Sequence, residues 1–347
     1  MRCLTLANQL RTEGFAVLFV CRKLQGHLGD FIRSRGYAVD MLIELKTDST
    51  LDWEQDVQET MECLERRKMV AEWLIVDHYA LDFRWEQAVR KVSRRILVID
   101  DLANRRHDCE LLLDQNLFSD MVTRYKGLVP RSCHCLLGPR YALLRDEFLV
   151  ARRGLKRRDG TINRLLLFFG GSDPTGETLK ACKAIRWLKE RSPKRMESVS
   201  IDIVLGGSNS RRDEILRFVE DDPAFIVHTQ VDYMAKLMAS ADMSIGAGGS
   251  ATWERLSMGL PSMTVIVADN QAAVTEEVAN EGLAWNLGWY DQLTEQQLAD
   301  QIEFAMEHPS LLLEMQDRAL DYMQVNGEQG RSELVQWILK EGEKRSG

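Results

Sequence analysis

The clearest potential for chemistry in this chain lies in a glycine-rich turn at residues 246–254, Gly-Ala-Gly-Gly-Ser-Ala-Thr-Trp-Glu. An apolar stretch at 243–245 precedes it and a helical pattern follows, which is the order strand, turn, helix. Glycines there let the backbone approach an anion closely, and the hydroxyls and free amides of a helix start can bind it. A tight turn closed by a capping box is the alternative, but it explains three glycines in four positions less well. We expect a diphosphate to be held by Gly248, Gly249, Ser250 and Thr252.

Glu254 ends this motif and lies in the first turn of the predicted helix. A carboxylate at that point can accept two hydroxyl hydrogen bonds, as from a ribose. A second glycine turn, Gly-Gly-Ser-Asp-Pro at 170–174, follows the apolar stretch 164–169 and leads into another helical pattern. Because open α/β sheets bind ligands at the carboxyl ends of their strands, we expect both turns to meet at one edge. The second turn adds Gly171 and Ser172 to the predicted site.

Polar side chains also follow strand-like stretches elsewhere in the chain. His78 and Tyr79 come directly after the stretch 73–77 and are candidate general acids or bases, although a lone histidine more often has a structural role. Asn270 follows the stretch 263–267, where an amide suits contacts with a sugar or a water molecule. These three residues are the catalytic candidates.

Two further groups invite a catalytic or metal-binding interpretation. Asp100 and Asp101 end another strand-like stretch, but adjacent strand residues point to opposite faces, so at most one of them faces a ligand. The sequence Cys-His-Cys at 133–135 is half of a zinc-site pattern, yet no second ligand pair follows at a useful spacing. We therefore predict no metal ion and no cofactor.

The overall composition restricts the class of protein. The chain has 347 residues, with 45 Lys and Arg against 53 Asp and Glu, so its net charge is −8 and its pI is near 5.5. No global positive field attracts nucleic acid or an anionic membrane. No apolar run approaches the roughly 20 residues of a bilayer span, and seven cysteines without framework spacing are typical of reduced thiols. We expect a cytoplasmic protein with no signal peptide, no membrane span and no nucleic-acid partner.

These candidate residues need a scaffold, and the pattern of the chain predicts one. Short runs rich in Val, Ile and Leu alternate with amphipathic helical stretches, which is typical of βαβ units around parallel sheets. The alternation occurs twice and predicts an α/β protein of two Rossmann-like domains, at 1–150 and 164–347, joined by a basic, solvated linker at 151–163. Helices alone are expected after residue 294. The predicted strands are 15–21, 37–43, 73–77, 96–100, 110–113, 164–169, 199–205, 225–228, 243–245 and 263–267.

The first ten residues form a helical pattern, with Met1, Leu4, Ala7 and Leu10 on one apolar face. A Rossmann-like half normally begins with a strand and a glycine turn that place helix amides against a ligand. Neither feature precedes this helix, so we expect the first domain to lack its first strand.

Six segments of the chain, taken in order, form a recognisable set: 1–7, 76–79, 100–105, 136–145, 246–254 and 270–271. Together they resemble the PseG family of UDP-2,4-diacetamido-2,4,6-trideoxy-β-L-altropyranose hydrolases, which act in pseudaminic acid biosynthesis. The resemblance implies a GT-B fold related to the MurG glycosyltransferase, with the nucleotide sugar between two Rossmann-like domains. It also implies metal-free hydrolysis at the anomeric carbon, in which an activated water displaces UDP with inversion.

By position, the resemblance assigns roles to single residues. Glu254 matches the family's ribose-binding glutamate, and Val231 lies in the segment 228–231 that flanks the uracil. Tyr79 and Asn270 match polar residues that face the sugar and the water. The diphosphate would contact Gly171, Ser172, Gly248, Gly249, Ser250 and Thr252.

Two departures from the family pattern affect these expectations. The family's catalytic base is a histidine in a Gly-x-Gly-His turn directly upstream of the positions that match 1–3, and Gly176 stands where many relatives have Asn. His78, Tyr79 and Asn270 remain the catalytic candidates within the chain. The alternatives are a MurG-like UDP-sugar glycosyltransferase and a non-catalytic UDP-sugar binder.

Overall fold

The computed structural model describes residues 1–24, 27–43, 52–323 and 332–343. The chain forms two compact units, of which one comprises Met1–Leu143 together with Asn326–Gly347 and the other comprises Leu144–Val325. Both units contain parallel sheets flanked by helices, so the predicted α/β class is confirmed. Across the described ranges, no helix combines the length and the apolar character that a bilayer span requires.

The sheet of the first unit is parallel and lies in two pieces. One piece contains β1 (Leu18–Arg22) and β2 (Ala38–Leu42). The other contains, in spatial order, β3 (Leu74–Val76), β4 (Ile96–Ile99), β5 (Leu111–Asp114) and β6 (His134–Leu137). Within the described residues, β1 pairs with β2 alone and β3 with β4 alone, so each has one free edge. The accompanying helices are α1 (Arg2–Thr12), α2 (Gly29–Ser34), α3 (Trp53–Arg66), α4 (Phe83–Val89), the 3₁₀ turn Pro139–Tyr141 and α14 (Glu333–Glu343).

Helix α1 packs against both pieces of this sheet. Leu6 and Leu10 are buried with residues of β4 and β5, whereas Leu4 and Ala7 are buried with Val39 of β2. The predicted apolar face of the first helix is therefore confirmed for Leu4, Ala7 and Leu10, whereas Met1 precedes the helix and is exposed. All residues of β1 and the first two residues of β3 are only partly buried, while every residue of β4 is buried, because the free edges lack a strand neighbour.

Helix α14 completes the core of the first unit. Leu334, Val335 and Ile338 are fully buried in the same cluster as Leu6 and Leu10 of α1. The prediction assigned residues 164–347 to one domain, and the structure differs because an amphipathic helix packs wherever a complementary apolar face exists. In this chain that face belongs to α1.

The second unit contains a six-stranded parallel sheet in the order β12-β11-β10-β7-β8-β9. All five strands predicted here are present, and β12, like β6 in the first unit, was not predicted. Its strands are β7 (Arg164–Phe168), β8 (Ser200–Leu205), β9 (Phe225–Thr229), β10 (Met243–Ala247), β11 (Ser262–Ile266) and β12 (Trp285–Trp289). Its helices are α5 (Asp146–Arg153), α6 (Glu177–Arg191), α7 (Pro193–Met196), α8 (Arg212–Val219), α9 (Met234–Ser240), α10 (Ala251–Ser257), α11 (Asp269–Asn280), α12 (Glu295–Glu307) and α13 (Pro309–Tyr322).

The basic segment 151–163 is part of the second unit rather than a solvated linker. The Arg158 guanidinium donates to the main-chain carbonyls of Met238 and Ala241 near the end of α9, and to those of Met258 and Gly259 after α10. Carbonyls at helix ends lack helical partners and attract cations, which explains why this charge is drawn inward. Arg152 likewise donates to the carbonyls of two residues of this unit.

Candidate functional site

Three glycine turns lie at the carboxyl edge of the second sheet. They are residues 170–172 after β7, 206–208 after β8, and 246–249 at the end of β10. They are neighbours because β7 pairs with both β8 and β10. The predicted meeting of the first and third turns at one sheet edge is therefore confirmed.

The first two turns are in direct contact. Ser208 Oγ donates to the carbonyl of Gly171 at 3.0 Å, and a Cβ on Gly206 would lie 2.1 Å from that oxygen, so only glycine fits there. Sequence analysis missed the turn at 206–208. Its signal was present, because Gly-Gly-Ser directly after an apolar strand repeats the pattern of 170–172.

The loop after β7 has its own helix cap. The Asp173 carboxylate accepts hydrogen bonds from the amides of Glu177 and Thr178 at 3.0 and 2.9 Å, so it occupies the first amides of α6. Asp173 adopts a φ of +42°, a conformation that favours glycine and that this cap compensates. Gly171 and Ser172 are exposed, and they are the part of this loop that a ligand can reach.

Of the residues in and after the third turn that are predicted to bind the diphosphate, some reach the surface and others are buried. Gly249 and Ser250 reach the surface, whereas Gly248 and Thr252 are buried. Thr252 Oγ1 accepts a hydrogen bond from Arg255 Nη2 at 3.0 Å, and the same nitrogen donates to the carbonyl of Ala247. The predicted Thr252 hydroxyl is thus engaged inside the protein, where it stabilises the turn.

Glu254 is held by an arginine that sequence analysis did not single out for this role. Arg145 Nε donates to Glu254 Oε1 at 3.0 Å, and Arg145 Nη1 lies 2.6 Å from Glu147 Oε1. Glu147 Oε2 in turn accepts from the amide of Ala235 at the start of α9. Burial raises the pKa of Glu254, while the charge and the hydrogen bond of Arg145 act in the opposite direction. The second carboxylate oxygen has no hydrogen bond within the described residues, so it can accept from a hydroxyl.

The remaining candidates of the second unit lie at the same edge. Asn270 is exposed in the first turn of α11, in the segment that follows β11. Its neighbour Gln271 approaches the third turn, since its Nε2 would lie 3.9 Å from a Cβ on Gly249. Val231 is half-buried after β9, where His228 Nε2 is 2.7 Å from Asp202 Oδ1.

The first unit places His78 and Tyr79 at the carboxyl edge of its four-stranded piece, directly after β3. His78 Nδ1 accepts a hydrogen bond from the amide of Ala80 at 3.1 Å, and burial lowers the pKa of His78. The neutral ring therefore carries its proton on Nε2, where it can donate but not accept. This arrangement argues against His78 as a general base.

Tyr79 belongs to a polar cluster with Arg2, Asp77 and Asp101. Its hydroxyl donates to Asp101 Oδ2 at 3.3 Å, and burial together with the Asp101 charge raises its pKa, so the phenol stays protonated. Arg2 donates to both Asp77 oxygens, and to Asp101 at 3.2 Å. Although burial alone would raise the pKa of Asp77, Arg2 holds it below its ordinary value.

The neighbouring carboxylates divide as the strand alternation predicts. Asp100 is buried and accepts from Arg105 and Tyr125, whereas Asp101 faces Arg2 and Tyr79. The stretch 133–135 has structural contacts, because its histidine ring stacks on Trp337. Among the described residues, no cluster of three or more His, Cys, Asp or Glu side chains is arranged to hold a metal.

Known proteins resemble this chain in both sequence and fold. Residues 165–332 match the model of the glycosyltransferase family 28 C-terminal domain. The spore coat polysaccharide biosynthesis protein SpsG of Bacillus subtilis is 28% identical over 178 residues, which is 51% of this chain and 51% of SpsG. The match thus spans about half the length of that relative.

A second relative covers more of the chain. The UDP-2,4-diacetamido-2,4,6-trideoxy-beta-L-altropyranose hydrolase of Campylobacter jejuni is 26% identical over 282 residues, which is 81% of this chain and 90% of that protein. Among solved structures, Acinetobacter baumannii MurG superposes with a TM-score of 0.64 at 15% identity, covering 98% of this chain and 95% of MurG. The chain therefore has the GT-B fold, and its second unit is similar to the C-terminal domain of glycosyltransferase family 28.

Proposed function

We propose that this protein binds a UDP-sugar at the carboxyl edge of the second unit and belongs to a pathway that hydrolyses it to UDP and free sugar. The observation that carries this proposal is the set of three glycine turns beside Glu254, whose carboxylate is oriented by Arg145. Gly171, Ser172 and Ser250 are exposed and Gly249 is half-buried, so their backbone amides suit the diphosphate, and the free oxygen of Glu254 suits a ribose hydroxyl.

Similarity to the Campylobacter hydrolase, over 81% of this chain, supports hydrolysis of UDP-2,4-diacetamido-2,4,6-trideoxy-β-L-altropyranose in particular. In that reaction a water oxygen bonds to the anomeric carbon while the bond from this carbon to the UDP oxygen breaks. The bonding electrons leave with UDP, the proton lost by the water passes to a base, and the configuration inverts. Tyr79 and Asn270 would orient the sugar and the water.

The base is the part of this mechanism for which the described residues offer no strong candidate. His78 has its acceptor nitrogen occupied by the Ala80 amide, and Tyr79 is a protonated phenol bonded to Asp101. Both can donate protons. A strand between β1 and β3 would end at the edge that carries Asp77, and α1 begins at this edge, where Arg2 binds Asp77. A Gly-x-Gly-His turn in that strand-to-helix connection would thus place its histidine beside the catalytic candidates.

The second candidate function is transfer of the sugar to an acceptor, as in MurG-like glycosyltransferases. The likeness of the fold to MurG and the family 28 match of the second unit favour it. Both activities need the same nucleotide site and differ only in whether water or an acceptor hydroxyl attacks.

Calorimetry with UDP and product analysis together test these proposals. We expect UDP to bind without added metal, and incubation of the diacetamido UDP-sugar to yield UDP and free sugar in equal amounts but very slowly, since the described residues offer no strong base. Failure of UDP to bind would overturn the nucleotide site. Formation of a sugar conjugate only when acceptor sugars are added would favour the transferase, and UDP binding without turnover of either kind would favour a non-catalytic binder.

A further inference from the structure

Gly176 and Arg211 are complementary in shape. Gly176 precedes α6 with a φ of +80° and is buried, and a Cβ built on it would lie 2.6 Å from Arg211 Nη1 and 2.8 Å from Arg211 Cζ. The guanidinium therefore lies directly on the glycine, in space that any other residue would fill. This contact joins the loop after β7 to the loop after β8.

The main chain of Arg211 is fixed while its charge is unmatched. Its amide donates to Asn209 Oδ1 at 2.9 Å, and its carbonyl accepts from the amide of Ile215 in α8. Within the described ranges, no carboxylate lies within ion-pair distance of its guanidinium, although Arg145, Arg164 and Arg191 of the same unit are all paired. The side chain is exposed, so a ligand can reach it.

Arg211 carries the one positive charge in the sequence of the three loops. Residues 170–176, 206–211 and 246–250 contain one basic side chain, that of Arg211. The acidic residue among them, Asp173, is occupied by the amides of α6. A nucleoside diphosphate bound at these loops therefore meets backbone amides, hydroxyls and one guanidinium.

We propose that Arg211 binds the diphosphate of the nucleotide, a role that rests on the proposed nucleotide site. The planar guanidinium can donate two parallel hydrogen bonds to phosphate oxygens, which are stronger than hydrogen bonds between neutral groups. Gly176 enables this role, because its missing side chain lets Arg211 cross from the second loop to the first.

Calorimetry of UDP and uridine with Arg211→Met tests the assignment, and Arg212→Met is the matched control. Arg212 is the next residue, is also exposed and has no ion pair within the described part of the chain. We expect Arg211→Met to weaken UDP binding about tenfold or more and to leave uridine binding unchanged. Arg211→Lys should recover part of the loss, and Arg212→Met should bind both ligands as the wild type does.

A second variant tests the contact itself. Gly176→Asn would force Arg211 away and should lower UDP affinity by a similar factor, with no additional loss when combined with Arg211→Met. If Arg211→Met binds UDP with the same affinity as the wild type, this inference is overturned and the proposed nucleotide site still stands. If the wild type does not bind UDP, both the role of Arg211 and the proposed nucleotide site are overturned. If Arg211→Met loses UDP and uridine affinity equally, Arg211 has a structural role and this inference is also overturned.

Discussion

Arg145 Nε donates to Glu254 Oε1 at 3.0 Å, across 109 positions of sequence. Arg145 precedes α5 and Glu254 lies in α10, so the bond ties these two helical elements together. Because Arg145 also pairs with Glu147, the guanidinium is held from two sides. Its geometry leaves one carboxylate oxygen of Glu254 available to a ligand.

Replacing Glu254 tests its place in the proposed nucleotide site. We expect Glu254→Gln to weaken UDP binding by about 1–3 kcal/mol, since a charged acceptor of ribose hydroxyls is lost. The loss should be smaller for 2′-deoxy-UDP, which calorimetry with both ligands would measure. Glu276→Gln, on an exposed side chain of α11, is the control. An unchanged UDP affinity in Glu254→Gln would remove this residue from the site.

Replacing Arg145 should make UDP binding depend on pH. Burial raises the pKa of Glu254 and Arg145 lowers it, so Arg145→Met should raise it further. The protonated carboxyl is a poorer acceptor, and the affinity of this variant should therefore fall as pH is lowered from 8.5 to about 5.5. Adding Glu254→Gln should abolish the pH dependence. A pH profile parallel to that of the wild type would show that Arg145 does not control the ionisation of Glu254.

Arg158 should stabilise the second unit by a large margin. Its guanidinium donates to four main-chain carbonyls, and burial lowers its pKa to about 10. We expect Arg158→Met to lower the free energy of unfolding by about 2–4 kcal/mol, because several buried acceptors lose their donors. Its neighbour Arg157 has an exposed ion pair with Asp317, so Arg157→Met should cost at most about 1 kcal/mol. Urea unfolding of both variants measures these free energies, and an equal loss of stability in Arg158→Met and Arg157→Met would contradict the stabilising role of Arg158.

Asp114 should weaken the first unit as pH rises. It is buried at the end of β5, and burial raises its pKa to about 6, so the folded state binds this proton more tightly than the unfolded state. Stability from this residue is then complete below about pH 4 and is lost as pH rises through 6. Asp114→Asn cannot ionise.

The stability of Asp114→Asn relative to the wild type should therefore increase by on the order of 2 kcal/mol between pH 4 and pH 7. Urea unfolding at the two pH values measures this difference. The single oxygen of the Asn side chain can still accept from the amide of Asn116, whereas its NH2 group, which replaces the oxygen that accepts from Tyr125, can donate to the Tyr125 hydroxyl. A difference that does not change with pH would show that Asp114 is ionised throughout.

Adding a strand and a Gly-x-Gly-His turn before Met1 should raise both stability and catalysis. The added strand would pair with the free edges of β1 and β3, and its histidine would supply a base, which typically contributes about 10²–10⁴ in rate. Thermal unfolding and UDP release from the diacetamido UDP-sugar measure the two effects.

A matched extension that ends in Gly-x-Gly-Ala separates these effects, because it should gain stability without gaining rate. Equal and fast turnover by the unextended chain and by the extended protein would contradict the prediction. In that case a residue within 1–347 would be the base.

Local signals were sufficient for the elements that carry the proposed nucleotide site. The apolar runs that became β7 and β10 end in glycine turns, and strand period and turn chemistry are properties of neighbouring residues. The strand β6 was missed because Cys-His-Cys drew attention as metal ligands and has no alternating pattern. Arg145 and Arg211 could not be assigned, since their contacts join residues that are far apart in the sequence.

The packing of α14 on α1 affects the order in which the protein can fold during synthesis. The core of the first unit needs Leu334, Val335 and Ile338, which leave the ribosome roughly 190 residues after Leu143. At about 5–20 residues per second, this delay lasts roughly 10 to 40 seconds. Throughout that interval the apolar face of α1 is without its partner helix, so the nascent first unit offers a binding surface to chaperones that the finished protein lacks.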